Sequence, residues 1–304
     1  MNLLITGGTG FVGTRLINSL KDKEDLQITV LTRNVERAQK KLPKNVTALF
    51  WDPENQIYPT EDFKEVDAIV NLMGENLANK RWSDSQKKIL EESRVKNTEY
   101  FFDSLKKHNT RQLRVIVQAS AIGIYPKNLE REITEETELD SDFLATLCKN
   151  WENQLHLYKE VERKVALRIG VILGKEGGAL AKLLPIFKLG LGGKIASGQQ
   201  MMSWIHVQDV VNIIIKSLFD ERYKGVFNAV SPHPVSNAKF SKELGKALHR
   251  PAIFPVPEFV MKLVMGEMST IVLDGQMILP KHLEKLEYRF QFSNLSDAFK
   301  DICG

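Results

Sequence analysis

The sequence is poor in the features that mark secreted, metal-binding and membrane-spanning proteins. It has only two cysteines among 304 residues, Cys148 and Cys303, without paired spacing. This argues against a disulfide scaffold and against a zinc site. No apolar run approaches the ~20 residues that a transmembrane helix needs. A strand begins at the N-terminus and leaves no room for a signal peptide, so we expect a cytoplasmic protein with no metal and no membrane partner.

The sequence also lacks a strong excess of either charge. Its 42 Lys and Arg residues and 38 Asp and Glu residues give a net charge of +4, and the two signs are interspersed. This is typical of a solvated surface, so we expect no nucleic-acid partner. The hydrophobic fraction of 43% is that of an ordinary globular protein with a large core.

What the sequence does have is a strand, a glycine-rich turn and a helix at its start. Residues 2–6 form a short apolar run, residues 7–13 read G-G-T-G-F-V-G, and residues 14–20 are amphipathic. A β-branched run at 27–31 completes a βαβ unit. This context predicts a dinucleotide site, with the pyrophosphate at the N-terminus of the helix. The predicted contacts are Gly7, Thr9, Gly10, Phe11, Val12 and Gly13. The alternative is a glycine-rich turn without a ligand.

The end of the second strand indicates which dinucleotide binds. An NAD site wants an acid there for the ribose 2′-hydroxyl, but the chain has Thr32 and Arg33. A guanidinium pairs with a 2′-phosphate, whereas a carboxylate would repel it. We therefore predict NADP(H), with Arg37 either as a second phosphate contact or as part of a solvated face.

Strands and helices alternate through most of the chain. Further strands are predicted at residues 46–50, 67–72, 115–119, 165–173 and 225–230. Repeated βαβ units predict an α/β fold, a Rossmann-type doubly wound parallel sheet with a smaller C-terminal lobe. We expect an NADP-binding domain over residues 1–230, with an excursion on the substrate side at about 175–200. Residues 231–304 are expected to form a C-terminal lobe that covers the substrate.

Ligands of such sheets bind at the carboxyl ends of the strands. Asp52 follows the third strand, where it can accept a hydrogen bond from the adenine amino group or stabilise a turn before proline. The fourth strand leads into Leu72, Met73, Gly74 and Glu75, and a glycine there allows close passage of a ligand.

Motifs along the whole chain resemble the YfcH-type family of atypical short-chain dehydrogenase/reductases, which are epimerase-family proteins. They are TGGTGFVG at 6–13, LTRN at 31–34, NLMGEN at 71–76, RW at 81–82, SR at 93–94, SAIGIYP at 120–126, WIHVQD at 204–209 and GEMSTIVLDGQMILPKHLE at 266–284. The resemblance implies a Rossmann-type NADP(H) site at the residues named above and a cofactor contact from Arg94. It also implies a small-molecule substrate such as a nucleotide sugar, and a homodimer, although no apolar stripe marks an interface.

The sequence departs from the resemblance at the residues that react. The wider superfamily uses a Ser or Thr with a Tyr-x-x-x-Lys pair, in which the Lys lowers the pKa of the Tyr. Alignment on Trp151 and Glu152 puts Leu144 at the Tyr position and Cys148 at the Lys position. Since leucine cannot move a proton, Ser120 is the one member of the triad that remains.

Several other side chains could replace the missing Tyr and Lys or bind the substrate. Tyr125 is a candidate general acid or a packed ring, and His206 suits either proton transfer or a structural hydrogen bond. Cys148 could ionise or pack as a small hydrophobe. Arg81 and Trp82 could hold a phosphate and a flat ring, and Trp204 lies in a segment that extended relatives use near the substrate.

Two functions therefore stay open. In the first, the protein is an NADP(H)-dependent oxidoreductase or epimerase in which Ser120 polarises a substrate oxygen. In the second, it binds the cofactor without turnover and acts as a sensor or a partner-binding module, because the Tyr and Lys are missing.

Overall fold

The computed structural model, which describes residues 1–304, contains a seven-stranded parallel sheet with helices on both faces. The predicted doubly wound fold is confirmed. The strands are β1 (Asn2–Thr6), β2 (Gln27–Thr32), β3 (Val46–Phe50), β4 (Ala68–Asn71), β5 (Leu113–Ala121), β6 (Val161–Ile169), β7 (Val171–Gly174), β8 (Gly177–Gly178), β9 (Met201–Met202), β10 (Trp204–His206), β11 (Gly225–Ala229) and β12 (Val235–Ser236). The helices are α1 (Phe11–Leu20), α2 (Val35–Gln39), α3 (Asp84–Glu91), α4 (Asn97–His108), α5 (Phe143–Leu157), α6 (Leu180–Lys188), α7 (Val207–Phe219), α8 (Asn237–Ala247), α9 (Glu258–Met265), α10 (Thr270–Leu273), α11 (Lys281–Lys285) and α12 (Leu295–Cys303).

Alternate residues of the strands feed two separate cores. Leu3 and Ile5 of β1 pack with α1 and α7 on one face of the sheet, whereas Leu4 packs with α4 on the other. Both faces are covered, which is why β1 is an uninterrupted apolar run rather than an alternating one.

The strand order fixes where a ligand can bind. The order is β11-β6-β5-β4-β1-β2-β3, so the chain leaves β1 toward β2 and β3 and later returns to the other side of β1 as β4. Thr6 and Asn71 pair at the carboxyl ends of β1 and β4. A crevice opens where the winding reverses in this way, and it therefore lies between these two strand ends.

The prediction of one strand over residues 165–173 is wrong. The run divides at Gly170, with β6 in the central sheet and β7 in a small sheet of order β10-β7-β8. A Cβ at Gly170 would lie 2.6 Å from the carbonyl oxygen of Ser203, so the backbones approach too closely for any side chain. The apolar pattern continues through the break because β6 and β7 each contribute side chains to a hydrophobic core.

Two stretches of the chain build the second lobe. Leu180 of α6 and Trp204 of β10 share a core with Phe240 of α8 and Phe299 of α12. The lobe thus includes residues before position 230, and the boundary at 230 stays a prediction. None of the helices has the length and apolar character needed to cross a bilayer.

Candidate functional site

The glycine turn after β1 is built for close backbone contact. Gly7 has a φ of +67°, and a Cβ there would lie 2.5 Å from the carbonyl oxygen of Leu72. A Cβ at Gly13 would lie 2.5 Å from the carbonyl oxygen of Gly7. Helix α1 begins at Phe11 without a side-chain cap, so the N–H groups of its first turn are available to an anion.

A cleft of about 720 Å³ opens beside this turn. It unites residues from the ends of β1, β2 and β4, as the strand order requires. The predicted cofactor residues in its lining are Gly7, Thr9, Gly10, Thr32, Arg33, Leu72, Met73, Gly74 and Glu75. Phe11, Val12 and Gly13 form the first turn of α1, while Asp52 and Arg94 do not line the cleft.

Three cations surround one end of the cleft. Arg33 has a side chain that is 71% exposed, and its Nη1 lies 3.6 Å from Oε1 of Glu54. Arg37 and Lys41 line the same cleft from α2 and the turn after it. Lys41 was not predicted from the sequence, because it lies in the turn that follows α2.

Asp52 is engaged in a turn. Its carboxylate accepts hydrogen bonds from the side-chain amide of Asn55 at 2.8 Å and from the backbone N–H of Glu54 at 3.2 Å. The hydrogen bond from the Asn55 side chain lowers the pKa of Asp52. Its neighbours Trp51, Pro53 and Glu54 line the cleft instead. A contact from Asp52 to adenine stays a prediction.

Arg94 lies behind the Gly74 segment rather than in the open cleft. It belongs to a π-helical turn, Glu92–Lys96, and its Nη2 donates to the carbonyl oxygen of Glu75 at 2.9 Å. The guanidinium stands over the ring of Trp151 at 5.4 Å, and a Cβ at Gly74 would lie 3.0 Å from its Cζ. Burial lowers the pKa of Arg94. The observed contact with Glu75 positions the backbone that borders the cleft.

Ser120 and Tyr125 belong to one buried polar network. The Ser120 hydroxyl donates to Oε1 of Glu152 at 2.6 Å. Glu152 also pairs with Arg168, whose Nε and Nη2 donate to its two oxygens at 2.9 and 2.8 Å. Arg168 Nη1 donates to the Tyr125 hydroxyl at 2.7 Å, and that hydroxyl donates to Asn228 at 2.8 Å.

The hydroxyl protons of Ser120 and Tyr125 are both donated to other side chains of the network. Burial raises the pKa of Tyr125 to about 12, against the lowering influence of the Arg168 charge. Burial would lower the pKa of Arg168, but the hydrogen bond and charge of Glu152 outweigh it and raise that pKa. Catalytic roles for Ser120 and Tyr125 stay predictions. The sequence analysis missed Glu152 and Arg168, although a charge inside the buried run at 165–169 requires a partner.

Leu144, at the position where the superfamily has its Tyr, belongs to a cluster of apolar side chains. Leu144 packs 3.4 Å from an ideal Cβ at Gly123 and shares a cluster with Trp82 and Met268. The indole N–H of Trp82 donates to the carbonyl oxygen of Leu77 at 3.0 Å. Arg81 is exposed and lies beside Gly266 of the second lobe. Substrate contacts from Arg81 and Trp82 stay predictions.

The structure places Trp204 and His206 inside the second lobe. Trp204 is fully buried and donates its indole N–H to the carbonyl oxygen of His233 at 3.0 Å. His206 Nδ1 accepts from the backbone N–H of Gln208 and caps α7, while Nε2 lies 3.2 Å from Asp301. Burial lowers the pKa of His206. Nε2 of His206 forms no hydrogen bond, and the roles of Trp204 and His206 toward substrate stay predictions.

Comparison with known proteins identifies the family. Residues 3–229 match the model of the NAD dependent epimerase/dehydratase family, which is well over half of the chain. The chain belongs to this family. Residues 256–302, in the second lobe, match a separate domain of unknown function, DUF1731.

Family members with similar sequences cover the whole chain. The epimerase family protein SDR39U1 homolog of Arabidopsis thaliana chloroplasts is 35% identical over 99% of this chain and 86% of its own length. The epimerase family protein SH2119 of Staphylococcus haemolyticus is 37% identical over 98% of both chains. The crystal structure of human epimerase family protein SDR39U1 with NADPH is 32% identical, has a TM-score of 0.89 and covers 100% of this chain and 99% of its own.

The burial of Cys148 predicts which thiol reacts first. Burial raises the pKa of Cys148 to about 12, so at pH 8 only about one thiol in ten thousand is ionised. Cys303 is half-buried, so we expect a thiol reagent at pH 8 to modify one cysteine per native chain, at Cys303. Peptide mass mapping before and after unfolding in urea measures this. Rapid labelling of Cys148 in the native protein, with Cys303→Ala as the matched control, would show a reactive thiolate instead.

Proposed function

We propose that this protein binds NADP(H) in the cleft and uses it to epimerise, oxidise or reduce a small hydroxyl or carbonyl compound, with nucleotide sugars as the first substrate class to test. The observation that carries the proposal is the placement of Arg33, Arg37 and Lys41 around one end of a cleft that begins at a glycine turn. A site for a phosphorylated dinucleotide needs both features.

The residues present fit the cofactor. The N–H groups at the start of α1 would take the pyrophosphate, because no side chain stands at Gly7 or Gly13 to block it. The three cations would take the 2′-phosphate, and Leu72 to Glu75 would border the nicotinamide half. The cofactor would supply a hydride acceptor or donor. NADPH in the human SDR39U1 crystal structure supports the choice.

The hydrogen bonds of the two hydroxyls favour Ser120 over Tyr125 as the residue that contacts the substrate. The Ser120 proton is held by Glu152, so the serine oxygen is free to accept a hydrogen bond from a substrate hydroxyl. Tyr125 would first have to release both Arg168 and Asn228. A pKa of about 12 also makes Tyr125 a poor general acid near neutral pH.

A second candidate is a sensor that binds NADP(H) without turnover. It is favoured by the apolar packing of Leu144 and by the structural hydrogen bonds of Tyr125. Such a protein would couple cofactor binding to the affinity for a partner, and this coupling is reciprocal.

The cellular location and the oligomeric state of the protein are also part of the proposal. Two cysteines without a disulfide suit the reducing cytoplasm that the sequence predicts. A homodimer is retained as a prediction from the resemblance to extended relatives.

The cations should distinguish NADPH from NADH. Arg33→Ala and Lys41→Ala each remove a charged hydrogen bond to the 2′-phosphate, worth about 1.5–3 kcal/mol, or about ten- to a hundred-fold in the dissociation constant for NADPH. NADH binding should stay within about twofold of the wild type, because NADH carries no 2′-phosphate. Glu54→Gln should strengthen NADPH binding, since Glu54 competes for Arg33. Fluorescence titration with both dinucleotides measures these effects.

Lys40→Ala is the matched control. Lys40 precedes Lys41 in the chain and is exposed, but it does not line the cleft. Loss of its side chain should therefore leave the affinities for NADPH and NADH unchanged. Equal loss of NADPH and NADH affinity in Arg33→Ala would contradict the assignment of the 2′-phosphate.

Turnover tests the role of Ser120. With a panel of nucleotide sugars and small carbonyl compounds followed by NMR, Ser120→Ala should lower kcat about two- to tenfold, because the substrate hydroxyl loses one hydrogen bond worth about 0.5–1.5 kcal/mol. Tyr125→Phe should mainly lower thermal stability, by about 1–3 kcal/mol, because Arg168 and Asn228 lose a buried partner. Turnover that is unchanged by both substitutions would rule out both catalytic roles. Tight NADPH binding without any product would favour the sensor.

A further inference from the structure

The second lobe exposes an unusual set of large apolar side chains. Leu189 is 74% exposed, Ile253 71%, Leu191 56% and Phe254 50%. They lie on two adjoining segments, because the N–H of Phe254 donates to the carbonyl oxygen of Gly192 at 3.1 Å. Exposed apolar groups gathered in this way usually mark an interaction site.

Positive charge surrounds the same segments. Lys242, Lys246, His249, Arg250 and Ile253 line one surface depression of about 680 Å³. Arg250 Nε donates to the backbone oxygen of Lys188 at 2.9 Å, which brings a further lysine to the edge. The acid among these side chains is Glu243, 2.8 Å from Lys246.

The charge of this face is therefore strongly one-sided. Four cations, Lys188, Lys242, Lys246 and Arg250, stand against one carboxylate, which leaves +3. We call the four apolar and four cationic side chains the apolar–basic face.

We propose that the apolar–basic face binds the surface of an anionic lipid bilayer. Side chains that protrude at about 70% exposure suit insertion among acyl chains, while the surrounding lysines and arginine meet the headgroups. Such binding needs no spanning helix. A two-fold pair of this face with itself would oppose cations to cations, which disfavours a second copy of the chain. The exposed Phe259 and Leu263, one turn apart on α9, follow directly in the chain.

None of the eight residues lines the cofactor cleft, so the two activities can be measured separately. The experiment is flotation of the full-length protein with vesicles of phosphatidylcholine alone or with 30% phosphatidylglycerol. We expect about tenfold more protein to float with the anionic vesicles, and 0.5 M salt to weaken this binding.

Two double variants divide the contributions. L189S/I253S removes apolar contacts and K188E/K242E removes charge, and each should reduce flotation to the level of neutral vesicles. K107E/K159E, which makes the same charge change at exposed positions preceding β5 and β6, should float like the wild type. All variants should keep the wild-type affinity for NADPH, which shows that they fold.

Three results would overturn the proposal. One is equal flotation with both kinds of vesicle, and another is an equal loss of flotation in K107E/K159E. The third is a wild-type dimer in light scattering that L189S/I253S converts to a monomer, since the face would then be covered by a second copy.

Discussion

The close approach of the first glycine turn to the end of β4 fixes the geometry of this protein. Gly7 leaves no room for a side chain against Leu72, and Gly13 brings α1 against the same turn. The Thr6 hydroxyl donates to Asn71 at 2.7 Å and ties together the two strand ends between which the winding reverses. This contact positions the start of α1 and the cleft beside it.

The predicted catalytic residues Ser120 and Tyr125 depend on a different interaction, the buried pair of Arg168 and Glu152. Burial of two charges costs several kcal/mol per ion unless other hydrogen bonds complete them, and here Ser120 donates to Glu152 and Tyr125 accepts from Arg168. The pair holds the hydroxyls of Ser120 and Tyr125 in fixed positions. The Tyr125 hydroxyl is held between Arg168 and Asn228, and its catalytic role stays a prediction.

The sequence analysis predicted the features that depend on local pattern. Consecutive residues show the glycine turn, the absence of an acid after β2 and the alternation of strands and helices. The fold that these features predicted is confirmed. The division of a strand at Gly170 depends on where Ser203 lies, and the partner of Arg168 comes from a helix 16 residues earlier. Such tertiary contacts leave no periodic signal, so local pattern could not locate them.

We infer that the cations around the cleft select a 2′-phosphorylated dinucleotide. The most direct test is a fluorescence titration of the wild-type protein with NADPH and NADH under identical ionic strength. We expect a dissociation constant for NADPH at least about ten times lower than that for NADH, because one charged hydrogen bond accounts for that ratio. Equal affinities, or tighter binding of NADH, would contradict it.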